Sequence, residues 1–128
     1  MEMEMSKAQF LADNQRGGEI YAGLILGQNG EADYHLFVVP GEAEFVNWNQ
    51  AKEFAQTVGG DLPTRREQRV LFANANAAFK ASWNLYWSSE QYADNGDCAW
   101  FQTFLNGAQQ YNRKYIFLRA RAVRRLVI

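Results

Sequence analysis

Three segments of the C-terminal half decide the fold: Trp83-Asn84-Leu85-Tyr86-Trp87-Ser88-Ser89, then Cys98-Ala99-Trp100-Phe101-Gln102-Thr103-Phe104-Leu105-Asn106-Gly107-Ala108-Gln109-Gln110, then Arg119-Ala120-Arg121-Ala122-Val123-Arg124-Arg125. Short apolar runs separated by polar, glycine-containing loops read as strands over 85–89, 99–105, 109–111 and 116–127. Asn106-Gly107 is a hairpin signal, because both residue types tolerate positive φ. In the last run Ala120 and Ala122 alternate with Arg119, Arg121 and Val123, which predicts one small buried face and one mostly charged face.

Towards the N-terminus the period changes. Trp48, Ala51, Ala55 and Val58 recur at helical spacing, Asn47 can cap the start, and Gly59-Gly60 can supply a left-handed stop. Asp61-Leu62-Pro63 links this helix to a second one. That helix opens on a capping box, in which the Thr64 hydroxyl accepts from the Glu67 N–H and the Glu67 carboxylate reaches back to the Thr64 N–H. Val70, Leu71 and Ala75 face its core side, and the helix fades over 74–78, where two asparagines intervene. Runs 19–27 and 34–40 flank Asn29-Gly30 and read as a hairpin. Residues 1–18 read as a weakly structured lead-in, with a short helix over 7–13 as the equal alternative. The order is β-β-α-α-β-β-β-β, an α+β class in one domain over 19–128.

A composition of 48% hydrophobic and 15% aromatic residues supports a true core in 128 residues. The net charge of −1 is unevenly spread: ten acids and three bases lie at or before Asp61, whereas six bases and no acid follow Asp97. One cysteine excludes an intrachain disulfide and a two-cysteine zinc knuckle. The acidic start Met1-Glu2-Met3-Glu4-Met5-Ser6-Lys7 lacks the apolar core of a signal peptide, and no apolar run approaches the ~18 residues of a membrane span. The expectation is a soluble protein with no membrane partner, cytoplasmic in a bacterial host or, alternatively, virion-associated.

Catalytic chemistry finds little footing. His35 is the only histidine, lies within a strand and has no evident carboxylate and nucleophile around it, so a structural role is expected. Cys98 beside Asp97 lacks the electropositive setting that activates a thiolate, and is read as buried and inert. Glu90, Asp94 and Asp97 share a loop without the spacing of a calcium loop, so a solvated acidic loop is preferred and no metal is expected. Arg119, Arg121, Arg124 and Arg125 could meet phosphates, with neighbouring aromatics stacking on bases. The competing reading pairs them with Asp61, Glu67 or backbone carbonyls at a helix–sheet junction. Trp48, Trp83, Trp87 and Trp100 are mostly expected to anchor the core.

The motifs Gly59-Gly60-Asp61-Leu62-Pro63-Thr64-Arg65-Arg66-Glu67-Gln68, Tyr86-Trp87-Ser88-Ser89, Ala99-Trp100-Phe101-Gln102, Asn106-Gly107-Ala108-Gln109 and the arginine-rich 119–125 resemble the domain at the C-terminus of the Legionella collagen-like adhesin. That domain also occurs as short stand-alone proteins of bacteria and prophages, and the likeness extends over roughly 19–125. The resemblance implies a C-type-lectin-like fold: a twisted antiparallel sheet flanked by two helices, with a loop-rich second half. That superfamily includes sugar-binding lectins, phage receptor-binding proteins and formylglycine-generating enzymes, so the fold leaves function open. The calcium-site loop of the lectins and the cysteine pair of the enzymes have no counterpart among these residues.

On the loops where such folds present ligands, Asn84, Tyr86, Glu90, Gln91, Tyr92, Asn95, Gln102, Asn106, Gln109, Gln110, Tyr111, Asn112 and Arg113 form a polar, aromatic set suited to macromolecular recognition. An ordinary polar edge rich in turn formers is the competing reading. The function expected is therefore a non-enzymatic, phage- or prophage-type binding module without cofactors. A host protein is the first expected partner, which makes the module an inhibitor or regulator of host defence. Glycan or receptor recognition comes second and nucleic-acid binding third. Self-association through a strand edge into a homodimer is also expected.

Overall fold

Two sheets share the polypeptide, and they meet where the C-terminal run changes direction. The computed structural model describes residues 6–79 and 84–128; the core role expected of Trp83 lies outside the described residues. The first sheet joins β1 (Ile20–Ile25), β2 (Tyr34–Val38) and β8 (Val123–Val127) in the order β1-β2-β8. Its hairpin turns at Asn29-Gly30, where φ values of 54° and 83° give the two left-handed residues that the turn signal predicted. A bulge between Tyr21 and Gly23 shifts the β1–β2 register.

The second sheet contains β3 (Ala43–Val46), β4 (Leu85–Gln91), β5 (Cys98–Thr103), β6 (Gln109–Arg113) and β7 (Leu118–Ala120), in the order β3-β7-β4-β5-β6. All its pairings are antiparallel except β4 with β7, which run parallel. Where the sequence suggested one strand over 116–127, there are thus two strands in different sheets. The break falls at Arg121-Ala122. Ala120 and Ala122 are buried as expected, but Val123 is buried too, because β8 starts there and turns its side chain into the core. β3 was not expected, being a four-residue edge strand with a register shift.

Helix α1 (Lys7–Asn14) occupies most of the described part of the stretch read as a lead-in, which is the alternative reading of 7–13. Its Phe10 ring lies 4.1 Å from the His35 ring and 5.6 Å from Tyr21, so it covers the outer face of the first sheet. Helix α2 (Trp48–Thr57) starts on a capping box formed by Asn47 and Gln50 and buries Trp48, Ala51 and Ala55. Helix α3 (Arg65–Ala75) starts on the Thr64–Glu67 capping box and ends in a short 3-10 turn, Asn76–Phe79. The described part is α+β, with three helices.

Because side chains alternate along strands, the five-stranded sheet feeds two cores. On one face Trp87, Phe101, Ala99 and Leu118 pack with Trp48, Ala51 and Ala55 of α2. On the other, Tyr86 and Phe104 join Leu71 and Ala75 of α3, Phe79, and Ala22, Ile25, Leu36 and Val38 of the first sheet. The indoles satisfy their N–H groups as they bury: Trp48 donates to the Ser88 carbonyl at 2.8 Å and Trp87 to that of Val46 at 3.0 Å. No described helix is long and apolar enough to cross a membrane.

The arginines of the C-terminal run are structural ties. Arg125 forks onto Glu67 at 2.6 and 2.8 Å and also reaches Asp61 at 2.9 Å. Arg124 forks onto Glu19 at 2.8 and 2.7 Å, donates to the Asn14 carbonyl at the end of α1, and lies over the Phe37 ring. Arg121 donates to the carbonyls of Ala78 and Val39, and Arg119 pairs with Glu42 and Glu44. These contacts include the expected pairing with Asp61, Glu67 and backbone carbonyls, whereas Glu19, Glu42 and Glu44 were not anticipated as partners.

Candidate functional site

The thirteen residues singled out as a partner surface do not form one surface. Tyr86 and Gln102 are buried, which corrects their placement at a docking face. They oppose each other across β4 and β5 and point into the α3 side of the sheet. Tyr86 donates its hydroxyl to Glu42 at 2.6 Å; Gln102 donates to the Gln68 carbonyl at 2.8 Å. A polar residue on a strand covered on both faces is drawn inward whenever a partner is at hand.

Four asparagines shape turns or the strand end instead. Asn95 accepts from the Asp97 N–H, Asn106 from the Ala108 N–H and Asn112 from the Arg113 N–H, each through Oδ1, while Asn84 Oδ1 accepts from the Thr103 hydroxyl. Strand alternation further splits β6, with Gln109, Tyr111 and Arg113 on the face of Trp100, and Gln110 and Asn112 on the opposite face beside Phe101.

The structure does assemble a tighter group from the rest, together with two residues not anticipated as binding residues. Trp100 and Tyr111 are paired across β5 and β6, with ring centres 5.3 Å apart at 75°. Tyr92, from the loop after β4, stacks on Tyr111 at 3.7 Å with 10° between the planes and meets Trp100 edge-on at 5.5 Å. Arg65, the first residue of α3, lays its guanidinium 3.5 Å from the centre of the Trp100 ring.

Polar contacts lock this stack. Arg65 Nε donates to Gln109 Oε1 at 3.0 Å, and Gln109 Nε2 returns to the Arg65 carbonyl at 2.7 Å and to Gln102 Oε1 at 2.9 Å. Glu90 accepts from the Arg65 N–H at 2.7 Å, which places a carboxylate at the start of α3. Beside it, Lys114 donates to Gln91 at 2.6 Å. The Tyr92 hydroxyl is pushed up to about 12, first by its hydrogen bond with Tyr111, then by burial and the nearby Asp94 charge. The Tyr92 phenol therefore keeps its proton at physiological pH.

The result is a rigid shelf of two phenols, an indole and a guanidinium, held from beneath by buried Gln102 and Gln68. Gln68 donates to the Tyr86 carbonyl at 3.0 Å, while its own buried Oε1 has no hydrogen-bond partner among the described residues. Arg65 was missed because its position in a capping box assigns it to helix initiation. Its reach across to β5 is a long-range fact with no local signal.

The other candidates for chemistry occupy structural positions. His35 Nδ1 is 2.8 Å from the Tyr21 hydroxyl and its ring sits beneath Phe10. Cys98 is buried. Glu90, of the acidic loop, is committed to the α3 N-terminus, and among the described residues no group of three or more histidine, cysteine or acidic side chains is arranged to hold a metal.

Comparison with known protein families and with curated proteins finds no match for this chain. Its own geometry therefore carries the functional reading.

Proposed function

We propose that this chain is a non-enzymatic binding module of C-type-lectin-like fold that grips a macromolecular partner, a host protein, through the Arg65–Tyr92–Trp100–Tyr111 shelf. The observation that carries the reading is the Tyr92–Tyr111 stack at the surface, continuous with an indole capped by a guanidinium. Rigid aromatics with polar tips supply contact area at low entropic cost, and tyrosine, tryptophan and arginine are the residues that dominate protein–protein hot spots. The fold reading is supported by two helices packed on a largely antiparallel sheet. The prophage-type setting, and with it inhibition or regulation of host defence, rests on the resemblance in 59–125.

Glycan or receptor recognition is the competing proposal, since stacked phenols also suit sugar faces. Nucleic-acid binding is disfavoured by the engagement of Arg119, Arg124 and Arg125 with carboxylates. Affinity capture from a bacterial host, run side by side with Tyr92→Ala/Tyr111→Ala, tests the shelf. Loss of a specific protein with the folded double variant is the expected result. A folded variant that keeps every partner would sink the proposal, and glycan-array binding that depends on Tyr111 would move it to the receptor reading.

A further inference from the structure

Arg65 is held differently from the arginines of the C-terminal run. Its guanidinium carbon lies 3.5 Å from the centre of the Trp100 ring, in contact with the face of the indole. Its Nε is spent on Gln109 Oε1 at 3.0 Å, and Gln109 is fixed in turn by the Arg65 carbonyl and by Gln102. Glu90 accepts from the backbone N–H of Arg65, and no ion pair joins its carboxylate to the guanidinium. The two terminal nitrogens of Arg65 have no hydrogen-bond or ion-pair partner among the described residues. Arg119, Arg124 and Arg125, by contrast, each hold a carboxylate.

We propose that this free edge of Arg65 receives an acidic side chain of the protein partner, an aspartate or glutamate that forks onto the two terminal nitrogens beside the Tyr111 ring. The inference rests on the shelf being the partner surface, and adds the chemistry that the partner must present there.

The geometry favours a carboxylate. Two parallel N–H groups of a planar guanidinium match the two oxygens of a planar carboxylate. The indole on one side and the Nε bond to Gln109 have already restricted the arginine, so little further entropy is lost when the acid arrives. The guanidinium is also half-buried, and an ion pair formed there is less weakened by water than one at a fully exposed arginine.

The charge around the shelf selects a singly charged acid. Glu90 sits at the Arg65 N–H, and the Asp94 charge is felt at the Tyr92 hydroxyl. A phosphate, at about −1.5 to −2, meets repulsion from both acids with one guanidinium to offset it, whereas a carboxylate balances that guanidinium one to one. Tyr111 is 47% exposed, so residues flanking the acid have a rigid ring to lie against. An arginine beside such aromatic anchors is the composition of an interface hot spot.

Panning a random-peptide display library on the full chain, followed by fluorescence polarisation of the selected peptides, tests this. The expected peptides share an aspartate or glutamate, and replacing that acid by its amide weakens binding at least about tenfold. Arg65→Lys keeps the charge but loses the fork, and should weaken the same peptides at least about tenfold. Circular dichroism should show it folded, since lysine and arginine suit a helix about equally. Lys52→Gln, which removes a cation over Trp48 on the α2 side of the sheet, should bind like the wild type. Peptides that need Tyr111 but no acid, or that bind Arg65→Lys as tightly as the wild type, overturn the carboxylate inference and leave the shelf standing. Absence of any peptide that Tyr111→Ala weakens overturns the shelf and the inference together. Binding confined to carboxylated glycans on an array, with no acidic peptide selected, overturns the assignment of the acid to a protein.

Discussion

Glu67 is a carboxylate with no exposed surface, and four donors hold it there. Arg125 supplies two of them, the Tyr34 hydroxyl donates at 2.6 Å, and the Thr64 N–H donates at 2.9 Å. Burial pushes its carboxyl up, but hydrogen bonds from Arg125, Tyr34 and Thr64, with the Arg125 charge, outweigh it and hold the group below the ordinary carboxylate range. Glu19 is likewise held low, chiefly by its hydrogen bonds with Arg124 against an opposing burial effect. Groups with depressed folded values stabilise the native state fully above the unfolded carboxylate value of about 4.3, and that contribution drains away as pH falls through the folded values. Urea midpoints should therefore be nearly flat from about pH 7 to about pH 5 and fall below about pH 4, with the fall shallower in Glu19→Gln. A midpoint that rises on acidification would contradict the assignment of these pairs.

At the scale of elements, turns and caps were legible because their causes are local. Asn29-Gly30 and Asn106-Gly107 announce themselves by tolerance of positive φ, and the Thr64–Glu67 box by hydrogen bonds spanning three residues. Two glycines separate backbone from packing effects. Gly30 has φ 83° and open space where a Cβ would sit, whereas Gly107 has φ 80° and the Phe72 ring 3.0 Å from that position. Gly30→Ala should cost about 1 kcal/mol, the left-handed penalty alone, and Gly107→Ala distinctly more; thermal unfolding measures both. Equal losses would show that the turn does not pack on α3 as described.

What the sequence concealed was decided at long range. The run 116–127 alternates without a visible break, yet Leu118–Ala120 finds β3 and β4 while Val123–Val127 finds β2. Tyr86 and Gln102 looked like surface residues by their polarity, but both faces of their sheet are covered. Two members of the shelf, Tyr92 and Tyr111, were in the expected set, as was Gln109, which locks Arg65 in place. Arg65 and Trp100 were assigned to helix initiation and to core, since no local pattern brings the start of α3 onto β5.

For the whole molecule, the basic C-terminal segment and the aromatic shelf proposed for recognition are separate groups of residues. Arg119, Arg124 and Arg125 bind α1, the β2–β3 region and α3 together through Glu19, Glu42 and Glu67. Their charge is consumed inside the fold, so a labelled DNA duplex should show no binding at about 150 mM salt and only a shallow salt dependence below it. Fluorescence polarisation reads this, and a steep salt slope would return the arginines to a phosphate-binding role. The shelf is anchored by the same buried layer but contributes its outer rings to solvent.

The most direct test of this division is the urea unfolding free energy of Arg125→Ala beside that of Tyr111→Ala at neutral pH. Removing Arg125 strands the buried Glu67 carboxylate and should cost about 3–5 kcal/mol. Removing Tyr111, half exposed and stacked only on surface neighbours, should cost no more than about 1 kcal/mol. An Arg125→Ala protein as stable as the wild type, or a Tyr111→Ala protein destabilised as much as Arg125→Ala, would contradict the separation of scaffold from site.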